Sequence, residues 1–124
     1  MATDYRRDDE RRRLTVAVHG PVTFEEVAEV IERQAAEGTW SYTMIYDERE
    51  ATSTLTRDEV QRLLVLIGGF RAIHGRRGRV ALIYNADATH GTGRVYSAFG
   101  DIMGLDTAVF KDTARAHAWL DGVR

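Results

Sequence analysis

The stretch Met44–Val60, MIYDEREATSTLTRDEV, decides the fold, because it joins a buried strand to a helix with a marked start. Thr56 stands where an N-cap hydroxyl meets the amide three residues on, and Glu59 stands where a carboxylate reaches back to the Thr56 amide. Leu55 and Val60 flank this box as a hydrophobic staple. Val60, Leu63, Leu64, Ile67 and Phe70 then recur at helical spacing and form one apolar stripe. Upstream, YTMIYD reads as a strand ending at Asp47, which leaves Asp47–Thr56 as a hydroxyl-rich loop. The unit is therefore strand, loop, capped helix.

The same logic extends in both directions. Leu14, Val16 and Val18 alternate with Thr15, Ala17 and His19, the pattern of a strand with one strongly apolar face. The polar segment 1–13 can supply an edge strand, turning near Asp8 and Asp9. Thr23 and Glu26 repeat the capping box, Val22 and Val27 the staple, and Phe24, Val27, Ala28, Ile31 and Ala35 give a helix with Gly38 as a left-handed exit. After the Thr56 helix, RVALIY is nearly continuous in apolar residues, as expected of a strand covered on both faces. A further helix is expected from about Thr89 to Met103, then a strand TAVF and a last helix TARAHAWL. The expected fold is α/β: one domain over residues 1–124, with a mixed, mainly parallel sheet of four or five strands and about four helices. Ligands and partners of such sheets gather beyond the carboxyl ends of the strands, here at Asp47 with its loop and at Asn85–Gly93.

The bulk numbers exclude several classes. The formal net charge of -2 gives no electrostatic footprint for nucleic acid, and no aromatic residues interleave with the basic run His74–Arg79 as a single-strand platform requires. That run reads as a solvated turn. With no cysteine there is no thiolate metal site or thiol chemistry, and the scattered histidines show no metal-ligand spacing. No apolar run reaches the roughly 18 residues of a membrane span. The N-terminal MATDYRRDDERRR has no apolar core of the signal-peptide kind, so the expected compartment is the cytoplasm, with no cofactor.

Taken together, RLTVAVHGPVTFEEV, MIYDEREATSTLTRDEV, RVALIYNADATHGTGRVYSAF and AVFKDTARAHAWL resemble the STAS/SEC14-like family of small bacterial proteins, related to the STAS domains of anti-sigma-factor antagonists. The resemblance spans about Leu14 to Leu120 and rests on element order and loosely specific segments, none of them a catalytic signature. It implies a non-enzymatic regulatory module with a protein partner, or a small anionic or lipid-like ligand, bound at the strand ends. In the antagonists a serine near the helix start after the Asp-ended strand is phosphorylated. The matching region here is Asp47–Thr56, with Ser53, Thr54 and Thr56 as hydroxyl candidates, but the tight Asp-Ser-Ser/Thr-Gly pattern is missing. The plainer reading of Thr56 is an N-cap worth about 1 kcal/mol.

The second candidate region is NADATHGTGR. Thr89, His90, Gly91, Thr92 and Arg94 could hold an anion at a helix start, whereas a turn plus cap explains the same residues without a ligand. Asp87 and His90 are spaced as an acid–base pair, which makes a small enzyme the alternative, though no nucleophile elbow accompanies them. A SEC14-like lipid carrier is the third reading and requires a large apolar cavity. An exposed Trp119 face on the last helix would suggest a homodimer contact.

Overall fold

The computed structural model describes residues 3–53, 55–84 and 106–122. The chain opens with an antiparallel hairpin, β1 (Thr3–Asp8) and β2 (Arg13–Gly20), in which Arg12 takes a positive φ of 51° in the turn. Then follow α1 (Phe24–Ala36), β3 (Thr43–Ala51), α2 (Arg57–His74), β4 (Val80–Ile83), β5 (Thr107–Phe110) and α3 (Thr113–Leu120). The five strands lie in sequential order β1-β2-β3-β4-β5, and every pair after the first is parallel. This is the mixed, mainly parallel sheet that the alternation of elements predicts. Three helices lie among the described residues; the expected helix at Thr89–Met103 falls outside them.

The sheet has a core on each face. Leu14, Val16 and Val18 of β2, Met44 and Tyr46 of β3, and Val80 and Leu82 of β4 pack under α1 and α2. On the other face Ile45, Ala81 and Ile83 meet Ala116 and Leu120 of α3. The near-continuous apolar run of β4 thus serves both layers, as two-sided coverage demands.

Both threonine caps form. Thr23 accepts from the Glu26 amide at 3.2 Å and Thr56 from the Glu59 amide at 3.2 Å. Only the second completes the expected box, with the Thr56 amide donating to Glu59 Oε1 at 3.0 Å. At the first helix Glu26 instead accepts from the Thr3 hydroxyl at 3.0 Å, tying α1 to the edge strand.

The basic run His74–Arg79 is the solvated turn its composition suggests at His74, Gly75 and Arg76, but not at Arg77. Arg77 is buried, donates from Nε to Gln34 Oε1 at 3.0 Å and lies over the Trp40 ring. Gln34 is buried too and donates to the carbonyls of Thr39 and Trp40, while the Trp40 indole donates to Gly75 at 2.8 Å. A buried guanidinium is tolerated only with such partners. Gly78 lets the chain pass directly against the Tyr42 carbonyl, which a Cβ would overlap.

Candidate functional site

At the carboxyl rim of the sheet, β3 departs from its expected end. Asp47 pairs with Ile83, the last residue of β4, yet β3 runs on to Ala51 alongside β2. In this extension Ala17 pairs with Asp47 and His19 with Glu50, so Val18 alone faces both Glu48 and Arg49. That two-against-one count is a β-bulge, a device that re-aims side chains near strand ends. Its effect is visible in the burial. Met44, Tyr46 and Glu48 follow the inner face, but the next inward residue is Ala51, 2% exposed, and Glu50 is turned out to an ion pair with His19 at 2.7 Å. The loop before α2 shrinks to residues 52–56.

Asp47 is held by its own strand. Arg49 donates to Oδ1 from its amide and from Nε, each at 3.0 Å, and to Oδ2 from Nη2 at 2.7 Å. Burial pushes the Asp47 carboxyl up, but the Arg49 hydrogen bonds outweigh it and leave the group below its ordinary value. The short loop is anchored at both ends: the Thr52 amide donates to Gly20 at 2.8 Å, and Thr56 closes its capping box. Leu55 is buried beside Val60 in the same cluster, while Ser53, Thr56 and Arg57 are exposed. Of the expected site residues the structure therefore gathers Asp47, Ser53 and Thr56 at one rim. Thr54, Asp87, Thr89, His90, Gly91, Thr92 and Arg94 lie outside the described residues.

Two spaces adjoin this rim. Between the sheet and the helices lies a cavity of about 40 Å³ lined by Val27, Ile31, Tyr46, Glu48, Leu55 and Val60 among others. That is room for about one water molecule, far short of an acyl chain. Outside, an open groove of about 690 Å³ runs between α1 and α2 from Asp58 past Phe24, Arg62 and Leu66 to Val65, which is 72% exposed. The Arg62 guanidinium covers the Phe24 ring at 4.1 Å in its floor.

No protein-family model and no curated protein matches the sequence. Among solved structures, the anti-sigma factor antagonist SpoIIAA in its unphosphorylated form matches with a TM-score of 0.57 at 13% identity, covering 98% of this chain and 100% of that one. The fold is STAS-like. At that identity the likeness speaks for architecture, so the residues of the rim are read from their own chemistry.

Within this STAS-like frame Glu48 is the residue that the sequence pattern hides. Ending the strand at Asp47 places Glu48 in a solvated loop; the parity of Met44 and Tyr46, carried two residues further, places it inward. Burial, with the charge of neighbouring Asp47 adding to it, pushes the Glu48 carboxyl from 4.5 to about 7. Arg13 is a second such residue. It is buried, donates to His117 Nδ1 and to Asp121 Oδ1 at 2.7 Å each, and to the Thr43 hydroxyl at 3.0 Å, pinning α3 to β2. The sequence marks it only as the last arginine of a polar run.

Proposed function

We propose that the chain is a non-enzymatic regulatory module of the STAS type that docks a partner protein on the rim Asp47–Thr56 and the adjoining α1–α2 groove. The observation that carries this reading is the contrast between the two spaces. The cavity between sheet and helices admits about one water, whereas the open groove is large, half apolar and continuous with the first turn of α2. The likeness to an anti-sigma factor antagonist, a protein defined by acting on another protein, supports a protein partner over a small ligand. The small cavity also argues against the lipid-carrier alternative.

Of the two described candidates, Ser53 and Thr56, Ser53 is the better placed for phosphorylation. It is exposed in the bend, whereas the Thr56 oxygen is already engaged as the helix cap. A phosphate on Ser53 would add negative charge to a segment that Glu50, Asp58 and Glu59 already flank in sequence, and so change how the rim receives a partner.

The test is site-specific photo-crosslinking in host cells from residues 53, 57 and 65, with residue 6 on the opposite edge strand as control. The reading predicts one discrete adduct from the first three positions and none from the last. Equal labelling from all four, or labelling from residue 6 alone, refutes it.

A further inference from the structure

From Leu63 to Ile73 no exposed residue of α2 is polar. The outward positions are Val65, Gly69, Ala72 and Ile73, spaced so that they share one side of the helix. A surface helix ordinarily turns charged and polar residues to this side. Val65 and Ile73, 72% and 77% exposed, are the exposed large hydrophobic residues among the described ones, and both belong to this stripe. Gly69 stands midway, four residues from each. A glycine inside a helix costs about 1 kcal/mol relative to alanine. Nothing lies within 4 Å of the place where its Cβ would stand, so no contact within the described chain requires it. It leaves a notch in the middle of the stripe, where a second helix backbone can approach closely. Trp119, whose face the sequence offers as a pairing surface, is taken up instead: the Arg79 guanidinium covers its ring at 3.9 Å and Phe110 packs beside it at 5.6 Å.

The stripe is self-complementary. A two-fold axis through Gly69, perpendicular to α2, sets Gly69 against its own copy and Val65 of each chain against Ile73 of the other, the mutual contact that closes a symmetric pair. The ends match as well. The helices then run antiparallel with opposed dipoles, and the basic exit of α2 comes over the opening turns of the other copy. That exit carries exposed His74 and Arg76, the latter 72% exposed and only loosely paired with Asp106 at 3.8 Å. At the opening turns Asp58 is exposed in line with the stripe and Glu32 of α1 borders the same groove. Arg62 is drawn away onto the Phe24 ring, and Arg57 falls on the flank of the helix.

We propose that the outer face of α2 is a self-association surface, on which two copies of this chain pair antiparallel across Gly69. This goes beyond the docking reading and needs no partner of another kind. Val65 also lines the docking groove, so a second copy and a docked partner exclude one another; that competition alone rests on the docking reading. A stripe of between two and three helical turns is a small contact, so the pair forms and dissociates with concentration.

The test is sedimentation equilibrium of the full chain from micromolar to millimolar concentration. The pair predicts an average mass that rises from 14.0 kDa towards twice that value, and a mass that stays at 14.0 kDa throughout overturns it. Val65→Glu and Ile73→Glu each bury a carboxylate at the contact and should weaken association at least about tenfold with circular dichroism unchanged. Arg6→Glu on β1 should leave association as in the wild type. Association that survives both stripe substitutions overturns the proposal. Because the chain has no cysteine, oxidative trapping reads the direction of pairing. A Val65→Cys protein should link to an Ile73→Cys protein faster than either links to itself, since position 65 lies about 12 Å along the axis from its own copy. Like-to-like links in place of mixed ones overturn the antiparallel pair. Each measurement uses this chain alone, so a monomer leaves the docking reading standing and failure of docking leaves the pair standing.

Discussion

Replacing Glu48 by glutamine gives the sharpest thermodynamic prediction, because its sign depends on pH. The side chain keeps its shape and loses only the ability to ionise. Below pH 4.5 the carboxyl is neutral in both folded and unfolded chains, so its ionisation contributes nothing to the difference between the proteins. Above 4.5 the unfolded chain gives up its proton while the folded chain, with its midpoint raised to about 7, keeps it. The native state then binds more protons than the unfolded state, so stability falls as pH rises. At about 1.4 kcal/mol for each pH unit, the loss accumulates to about 3 kcal/mol by pH 7 and stays constant beyond. For a domain whose whole margin is about 5–15 kcal/mol this is a large fraction. Urea unfolding at pH 4.5, 6, 7 and 8 reads it directly: the stability of Glu48→Gln minus that of wild type should grow by about 3 kcal/mol from the first pH to the last. A difference that stays constant across the series would mean that the half-buried Glu48 titrates as a solvated carboxyl, and the reasoning would be refuted.

Three further outcomes test the rest of the frame. Gly78→Ala forces a Cβ into the Tyr42 carbonyl and should cost at least about 2 kcal/mol, whereas Gly69→Ala, open to solvent inside α2, should gain about 0.5–1 kcal/mol; thermal melts of the two compare them. His117 is held below its ordinary 6.5 by burial and by the Arg13 guanidinium, so the native imidazole stays neutral while the unfolded one takes a proton. Stability should therefore decline as pH falls through and below 6.5, and His117→Asn, which keeps an acceptor for Arg13, should flatten that decline in urea titrations. Thr56→Ala should lose about 1 kcal/mol while Thr56→Ser stays within a few tenths, as measured by denaturant midpoints.

How much of this was legible in the sequence depends on the range of the interaction. The two capped helices were readable because cap and staple lie within six residues, and the strand Leu14–Val18 because its alternation is unbroken. The mainly parallel run of the sheet followed from alternation, whereas the spatial order of its strands is a finding of the structure. What escaped depends on contacts distant in the chain. Arg77 reads as one more surface charge in a glycine-rich run until Gln34, forty-three residues earlier, is brought to it. Arg13 looks solvated until α3 closes over it from more than a hundred residues away. The bulge at Glu48–Arg49 could not be read from β3 alone, since it is defined by the count on β2. Asp47 was correctly placed near the rim, but as a residue within a longer strand, locked to Arg49, it is less available to a ligand than a loop aspartate.

The margins of the sheet have a consequence for handling the protein. Four of the six residues of β1 are charged, and β5, at the other margin of the described sheet, is four residues long. Neither flank of the described sheet offers a long apolar template on which another chain could add a strand. Among the described residues, both margins of the sheet are therefore poor seeds for lateral strand addition.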